Sequence, residues 1–237
     1  MQKIESLSLI FPVFKDSKTI NSMITTGLRE LKQNSKKFEI IIVDDGCPEN
    51  SGLKAKRFIK KKKLRNIKII LHNKNLGYGK AILTGISQAK YKWIFQVDGD
   101  GQYKISDLKK FKIKIKNYDL IIGTRIEKKY NVIRKIISYT YHIILNFFFK
   151  IKDFRDLSAG SRLISKKIIK KIKLNSSSPF FGAQIVLESL RHNFKVTNIN
   201  INSNARKYGS GSAVSVKNIL LTLNDILTYY ILYKKKK

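Results

Sequence analysis

The chain has 237 residues, of which 43% are hydrophobic, and a formal net charge of +33. That length fits one large α/β domain with enough apolar content for a core. Its single cysteine, Cys47, excludes a disulfide framework and a cysteine-rich zinc site. We expect a cytoplasmic protein, because the N-terminus lacks a signal-peptide pattern. We expect no integral insertion, because no run approaches the ~20 apolar residues that span a bilayer.

The positive charge has three candidate sources: nucleic-acid binding, attraction to anionic lipid, and a compositional bias toward Lys, Ile and Asn. Lysines are spread over nearly every predicted helix and are not interleaved with aromatic residues in a nucleic-acid-binding motif. We therefore expect no nucleic-acid partner. An anionic membrane surface is favoured, with compositional bias as the alternative.

Five short runs typical of β-strands alternate with segments that carry apolar residues at helical spacing. The runs are LSLIFPVF (7–14), FEIIIVDDG (38–46), NIKIILH (66–72), KWIFQVDGD (92–100) and YDLIIGTR (118–125). The helical segments lie around 17–34, 50–63, 79–90 and 104–117. This alternation predicts an α/β fold with a mainly parallel sheet flanked by helices.

Two aspartates follow the fourth run where its apolar stretch ends. We expect Asp98 and Asp100 at the C-terminal edge of the sheet, where open α/β sheets bind ligands. The glycines beside them permit a tight bend, and Gln102 adds a neutral oxygen. Such ligands suit Mg²⁺ or Mn²⁺, and Mg²⁺ commonly binds through one or two carboxylates plus substrate phosphates. The alternative is a polar turn.

Another acidic pair, Asp44 and Asp45, follows the second run and is expected at the same edge. One of these carboxylates could accept a hydrogen bond from a nucleoside base or a ribose hydroxyl. The alternative is a helix N-cap or an Asx turn before the segment 50–63.

Two glycines, Gly77 and Gly79, open the third helical segment and could place backbone amides or Lys80 near a phosphate. The alternative is a structural helix start. Position 82 is Ile, so the third glycine of the dinucleotide-binding fingerprint is missing and a Rossmann dehydrogenase is excluded.

Taken in order, five motifs resemble the inverting nucleotide-sugar glycosyltransferases that include dolichol-phosphate mannose synthase and bacterial polyprenyl-phosphate glycosyltransferases. They are SLIFPVFKDSKTI, IIIVDDG, NLGYGKAILTGISQAKYKWIFQVDGDGQY, DLIIGTR and DLSAGSRLIS, and the resemblance covers roughly residues 5–212. It implies a glycosyltransferase A-type fold, with Mg²⁺ or Mn²⁺ held on the donor diphosphate by Asp98, Asp100 and Gln102. It also implies that Asp44 or Asp45 helps bind the nucleoside and that Pro12 lies in the first nucleotide-binding loop.

Three arginines follow motif-like segments and are candidates to stabilise the charge of the leaving diphosphate: Arg125, Arg162 and Arg206. A guanidinium can bind phosphate oxygens bidentately, whereas the alternative for any one arginine is a solvated surface charge. Ser210 is a further substrate-binding candidate. It flanks Gly211, which stands where the family's R-x-x-G-x-S pattern has serine.

The resemblance places Asp156 on the acceptor side, where it would orient the acceptor or act as a base. A lipid phosphate is largely ionised at neutral pH and needs no strong base, whereas a sugar hydroxyl needs one. Family members often carry an acidic pair in the helix that corresponds to 180–192. Gln184 and Glu188 are the candidates here, which leaves the base open.

Two helical segments are candidates for membrane contact. Residues 132–150 form an aromatic-rich stretch with basic flanks that is too short to span but suits the membrane interface. Residues 215–233 are amphipathic and are followed by lysines. The alternative for 132–150 is burial against the domain or in a dimer, and the alternative for 215–233 is packing on the domain. We therefore divide the chain into a catalytic domain (1–214), whose acceptor side is 126–214, and a C-terminal helix with a basic tail (215–237).

The expected function is metal-dependent, inverting transfer of a sugar from a nucleotide-sugar donor to polyprenyl phosphate, at the inner face of the membrane. One alternative is a related transferase that acts on a saccharide or lipid-linked glycan hydroxyl. An alternative of another class is a non-catalytic basic binding protein on this fold. A homo-oligomer and a membrane-protein partner both remain open.

Overall fold

The computed structural model describes residues 2–127, 132–151, 153–154, 156–206, 208 and 215–234. Seven strands form one sheet: β1 (Ile4–Val13), β2 (Ser35–Asp44), β3 (Ile67–Leu71), β4 (Trp93–Val97), β5 (Leu120–Arg125), β6 (Ser161–Ser165) and β7 (Val196–Ile201). The helices are α1 (Ile20–Asn34), α2 (Ser51–Lys61), α3 (Tyr78–Gln88), α4 (Leu108–Lys114), α5 (Val132–Phe149), α6 (Lys166–Lys171), α7 (Phe181–Arg191) and α8 (Val216–Lys234).

The strand order is β3-β2-β1-β4-β6-β5-β7. The first four strands in this order run parallel, β6 is antiparallel to both β4 and β5, and β7 is parallel to β5. The expectation of a mainly parallel sheet flanked by helices is confirmed. Each of the five strand-like runs contains a strand, whereas β6 and β7 were not predicted as strands.

Both faces of the sheet are covered, which explains the unbroken apolar run of β2. Ile40 and Ile42 face a core layer formed with α1, α2 and α4, whereas Ile41 and Val43 face a second layer. That second layer includes apolar side chains of α3, α5, α6, α7 and α8. A central parallel strand buried on both faces requires such a continuous run.

The two helices with candidate membrane-facing surfaces pack against each other at one end. The ring of Phe149 lies 5.6 Å from that of Tyr229 and 6.2 Å from that of Phe180, measured between centroids. The opposite sides of both helices expose large apolar side chains: Val132, Ile133, Ile136, Tyr139, Ile143 and Phe147 on α5, and Val216, Leu220, Leu223, Leu227, Ile231 and Leu232 on α8. Among the described helices, none combines the length and apolarity needed to cross a membrane.

One edge of the sheet gathers the chain segments that carry the candidate residues. The C-terminal ends of β1, β2, β4, β5 and β7 lie there together with the segment that enters the antiparallel β6. Side chains from segments far apart in sequence are therefore neighbours at this edge, as is usual for ligand sites in α/β sheets.

Candidate active site

Asp98 directly follows β4 and is held by side chains on its inner side. Its Oδ1 accepts hydrogen bonds from Tyr78 Oη at 2.9 Å and from Gln96 Nε2 at 3.2 Å. A Cβ at Gly160 would meet the Asp98 carboxyl group at 1.8 Å, so only glycine fits there. The cradle of Gly160, Tyr78 and Gln96 fixes this carboxylate before any ligand binds.

Asp100 lies two residues further on and is also buried. Its Oδ1 accepts from the Gln102 amide at 2.9 Å, which closes the tight turn predicted around the glycines. Gln102 in turn donates from Nε2 to the Asn204 carbonyl at 3.3 Å. The turn after β4 is thereby joined to the segment that follows β7.

Arg206 of that segment bridges two carboxylates. Its Nη2 lies 2.9 Å from Asp16 Oδ1 and its Nη1 lies 3.4 Å from Asp100 Oδ2. The motif pattern predicts that Arg206 binds the donor diphosphate, and it does not indicate Asp16. The available signal for Asp16 was that it closely follows β1, as the other acids follow β2 and β4.

The carboxyl groups at this edge are harder to ionise than ordinary aspartates. Burial, and next the charge of Asp100, raises the pKa of Asp16 to about 7. Burial and then Asp100 likewise raise the pKa of Asp98, and burial raises that of Asp100. Clustered acids with raised pKa values mark a site that is completed by cationic groups.

Arg125, the last residue of β5, forms a buried ion pair with Asp156. Its Nε and Nη2 each lie 2.7 Å from a carboxylate oxygen of Asp156, and its backbone amide donates to the same carboxylate at 3.2 Å. Burial alone would lower the pKa of Arg125, but the hydrogen bonds to Asp156 raise it above its ordinary range. Ser158 Oγ accepts a further bond from Arg125 at 3.2 Å. Arg125 and Asp156, both predicted as site residues, therefore bind each other in this structure.

Arg134 lies in the first turn of α5, where the sequence indicates only the basic flank of a helix suited to the membrane interface. Burial, and next the charge of Arg125, lowers the pKa of Arg134, and the charge of Arg134 partly offsets the rise that burial causes in the pKa of Asp100. Arg134 is therefore an additional cation whose charge acts on Asp100. The sequence does not indicate this position of Arg134, because it depends on how α5 packs against the rest of the domain.

Arg162 is neither a surface charge nor open to solvent. On β6 its side chain is 1% exposed, with Nη1 donating to Gln96 Oε1 at 2.6 Å and Nη2 to the Leu157 carbonyl at 2.8 Å. Because Gln96 also donates to Asp98, Arg162 helps to hold Asp98 in place through the side chain of Gln96. Its contact with a donor phosphate stays a prediction.

Asp44 and Asp45 reach the predicted edge, and both bind backbone amides. Asp44 accepts from the Cys47 amide at 2.7 Å and from the Gly52 amide, in the first turn of α2, at 2.5 Å, although the N-cap residue of α2 is Asn50. Asp45 Oδ2 accepts from Gly77 at 2.9 Å, while its Oδ1 accepts from Leu76 and lies 2.8 Å from His72 Nδ1. Nucleoside binding by either residue stays a prediction.

The glycines before α3 serve close packing. A Cβ at Gly77 would meet the Ser177 carbonyl oxygen at 2.5 Å, and one at Gly79 would meet that of Ser176 at 2.2 Å. The Gly79 amide donates to the Ser177 carbonyl at 2.8 Å. These amides are already engaged, as the structural alternative expects, and Lys80 is exposed on the first turn of α3.

Two further residues, Pro12 and Ser210, are predicted to bind substrate. Pro12 is buried near the end of β1, and its carbonyl accepts from the Gly99 amide at 3.3 Å, beside the aspartate turn. Ser210 lies outside the described residues. For both, substrate contact stays a prediction.

Gln184 and Glu188, the candidates in place of an acidic pair, bind neighbouring elements. Gln184 Oε1 accepts from the Ser176 amide at 3.0 Å, and Glu188 Oε1 accepts from Tyr229 Oη at 2.7 Å. Both line a cavity of about 620 Å³ between α3, α6, α7 and α8. Their contacts link α7 to its neighbours.

The aspartates fit a divalent cation that is bound jointly with a diphosphate. Within the described ranges, no group of three or more His, Cys, Asp or Glu side chains could hold a metal ion alone. Magnesium, however, commonly uses one or two protein carboxylates and completes its shell with substrate phosphates. The Asp100 carboxylate at the end of the sheet and the fixed Asp98 supply such a partial set.

Solved structures share the fold. Glucosyl-3-phosphoglycerate synthase of Mycobacterium tuberculosis, in complex with phosphoglyceric acid, matches with a TM-score of 0.72 and 10% identity, over 94% of this chain and 79% of that one. A complex of the same enzyme with Mn²⁺, UDP-glucose and phosphoglyceric acid matches with a TM-score of 0.69 and 9% identity, over 94% and 80%. The chain has the glycosyltransferase A-type fold.

Sequence relatives are similar over most of this chain. A dolichyl-phosphate beta-glucosyltransferase of Dictyostelium discoideum is 25% identical over 83% of this chain, which spans 65% of that relative. A dodecaprenyl-phosphate galacturonate synthase of Rhizobium johnstonii is 24% identical over 97% of this chain and 69% of its own length. An uncharacterised protein of Methanocaldococcus jannaschii is 27% identical over 94% of this chain and 98% of its own length.

The motif order and the geometry at the sheet edge agree with a family model. The model for glycosyl transferase family 2 matches residues 8–173, which is more than half of the chain. The resemblance drawn from the motifs is confirmed: the chain belongs to glycosyl transferase family 2 and is a glycosyltransferase.

Proposed function

We propose that the chain transfers a sugar from a nucleoside diphosphate to a polyprenyl phosphate, with inversion at the anomeric carbon and with Mg²⁺ or Mn²⁺. The strongest support is the convergence of Asp98, Asp100, Arg125 and Arg206 at one edge of the sheet. The named acceptors of the relatives, dolichyl and dodecaprenyl phosphate, support the acceptor class.

The chemistry needs a stabilised leaving group. An acceptor phosphate oxygen attacks the anomeric carbon, the bond from that carbon to the donor diphosphate breaks, and the electron pair leaves with the nucleoside diphosphate. Asp100, with Asp98 and Gln102, would hold Mg²⁺ or Mn²⁺, whose charge offsets the charge that develops on the diphosphate. Arg206 adds positive charge close to Asp100, and the charge of Arg134 also favours the ionised form of Asp100.

The surroundings of Asp156 favour a phosphate acceptor over a sugar hydroxyl. Each of its oxygens accepts a hydrogen bond from Arg125, so taking up a proton would disrupt a buried ion pair. A phosphate monoester has a second pKa near ~6 and is already largely ionised at neutral pH, so it needs no such base. Asp156 then serves as a positioning residue for Arg125.

Peripheral attachment to an anionic membrane surface belongs to the same proposal. The exposed apolar faces of α5 and α8 carry aromatic and aliphatic side chains. Exposed lysines on or directly after these helices include Lys135, Lys150, Lys217 and Lys234. Helices of this kind lie in the headgroup region and would keep the site near a lipid-borne acceptor.

The first test follows nucleoside diphosphate release. Purified protein is incubated with Mn²⁺, a panel of UDP- and GDP-sugars, and a short polyprenyl phosphate that is either present or omitted. We expect release only when both the metal and the lipid phosphate are present. Release that requires a saccharide acceptor instead would contradict the proposal and favour the hydroxyl-acceptor alternative. Absence of donor binding would favour a non-catalytic binding protein.

Asp100→Asn provides the internal check of the metal assignment. It removes a carboxylate charge but keeps the size of the side chain and an oxygen that can accept from the Gln102 amide. We expect turnover to fall by about a hundredfold or more with an unchanged circular dichroism spectrum. Wild-type turnover in this variant would sink the assignment of Asp100.

A further inference from the structure

Arg206 contacts the very oxygen of Asp100 that remains for a cation. Asp100 Oδ1 is engaged by the Gln102 amide at 2.9 Å, and Oδ2 faces Arg206 Nη1 at 3.4 Å. The Arg206 side chain is only 17% exposed, so its charge is poorly screened by solvent. A guanidinium and a divalent cation at the same oxygen would repel each other.

The contacts of Arg206 with the two carboxylates are unequal, and its Nε donates in addition to the Tyr208 carbonyl at 2.8 Å. The distance to Asp16 Oδ1 is 2.9 Å, shorter than the 3.4 Å to Asp100. Asp16 is itself fixed, because its Oδ2 accepts from the Phe14 amide and its own amide donates to Ser51 Oγ, both at 3.1 Å. Asp16 is therefore a fixed anchor for the guanidinium, whereas the contact with Asp100 is the weaker one.

The segment that carries Arg206 is joined to the aspartate turn. Ser203 pairs with Tyr103 in an isolated antiparallel bridge, and the Asn204 amide donates to the Gln102 carbonyl at 2.9 Å. This attachment holds Arg206 over the two carboxylates. Its release from Asp100 is therefore opposed by backbone contacts as well as by charge.

We propose that Arg206 is a latch, by which we mean a side chain that stays bound to Asp16 and blocks Asp100 Oδ2 in the metal-free site. Arg206 leaves that oxygen when a divalent cation and a donor diphosphate bind together. This inference rests on the proposed metal site. The diphosphate gives the released guanidinium a new anionic partner, which Mn²⁺ alone does not. Metal and nucleotide should consequently bind cooperatively, each raising the affinity of the other by the same factor.

The test measures Mn²⁺ binding by electron paramagnetic resonance, with and without UDP or GDP and without turnover. Arg206→Ala removes the charge, whereas Arg206→Lys keeps the charge but loses the fork that spans two carboxylates. Without nucleotide, we expect both variants to bind Mn²⁺ at least about fivefold more tightly than wild type. With nucleotide, this advantage should shrink, because Arg206 then also holds the diphosphate.

Two further variants separate the latch from general electrostatics. Lys104→Ala removes an exposed charge close to the turn and should leave Mn²⁺ affinity at the wild-type value. Asn204→Pro removes the amide that fastens the segment, changes no charge, and should tighten Mn²⁺ binding without nucleotide. Thermal melting checks that each variant folds, and Arg206 itself lies outside the helices and strands.

The outcomes distinguish the latch from the proposed function. Wild-type affinity in both Arg206→Lys and Asn204→Pro, with tighter binding only in Arg206→Ala, would overturn the latch and leave the metal site intact. Failure of the wild-type chain to bind Mn²⁺ with either nucleotide would overturn the metal assignment and the latch with it.

Discussion

Three carboxylates, those of Asp16, Asp98 and Asp100, lie at the sheet edge with too little solvent to stabilise three negative charges. Arg206 offsets part of this repulsion by bridging Asp16 and Asp100. Asp98 is instead stabilised by neutral donors on Tyr78 and Gln96. The local structure thus holds unfavourable charge that a bound cation would relieve.

The titration of Asp16 gives the first prediction at this scale. Its pKa is raised to about 7, above the ordinary range, so between about pH 4 and pH 7 the folded chain binds more protons than the unfolded chain. The free energy of unfolding of the metal-free protein should therefore fall as pH rises across this window. Asp16→Asn cannot ionise and should be more stable than wild type at pH 8, by on the order of 1–3 kcal/mol.

Urea unfolding in the presence of EDTA measures this difference. The advantage of Asp16→Asn should grow between pH 5 and pH 7 and level off above that. An advantage that is independent of pH, or a variant less stable than wild type at pH 8, would contradict the assigned titration of Asp16.

At the scale of elements, the buried Arg125–Asp156 pair joins the end of β5 to the segment that leads into β6. Asp156→Asn would leave Arg125 buried beside a neutral side chain, and we expect a loss of roughly 3 kcal/mol in the free energy of unfolding. Ser158→Ala removes one hydrogen bond at the same place and should cost about 1 kcal/mol.

A double-mutant cycle with Arg125→Gln checks that the cost comes from the pair. We expect Arg125→Gln with Asp156→Asn to be less destabilised than the sum of the two single variants. Additive losses would mean that the two side chains stabilise the fold independently.

The strands that could be predicted are those with a recognisable apolar pattern within their own few residues. Four consecutive apolar residues in β2 reflect burial on both faces, and the alternation with helices indicated a parallel sheet. The antiparallel β6 escaped prediction because its place between β4 and β5 depends on pairing with strands distant in sequence. β7 likewise owes its place to pairing with β5.

The candidate site was predictable to the extent that its residues directly follow strands. Asp98, Asp100 and Arg125 reach the edge because each stands at or just beyond a strand end. The bridge from Asp16 to Arg206 spans 190 positions and could not be inferred from local spacing. The engagement of Asp44 and Asp45 by backbone amides depends on loop geometry, which the acidic pair alone does not specify.

At the scale of the whole molecule, the exposed apolar side chains of α5 and α8 form a surface next to many lysines. Ile136 and Phe147 lie on the same side of α5 and are 59% and 79% exposed. We expect the double variant Ile136→Ser/Phe147→Ser to bind anionic phosphatidylglycerol vesicles more weakly than wild type, by about tenfold or more. The reason is that the variant loses apolar area that would be buried in the membrane on binding. Cosedimentation with the vesicles measures this loss.

Ile113→Ser is the matched control. Ile113 is 60% exposed on α4, which covers the opposite face of the sheet. Equal losses in the control and in the α5 variant would mean that binding is not confined to the α5 and α8 surface. An unchanged affinity in the α5 variant would contradict membrane contact by this helix.

Mass spectrometry of the lipid product tests the central claim most directly. The wild-type chain and Asp100→Asn are incubated with Mn²⁺, the donor that supports diphosphate release, and a short polyprenyl phosphate. The account predicts a polyprenyl phosphate heavier by one sugar residue with the wild-type chain, and little or none with Asp100→Asn. Donor consumption that leaves the lipid unmodified, or attaches sugar only to a saccharide, would contradict it.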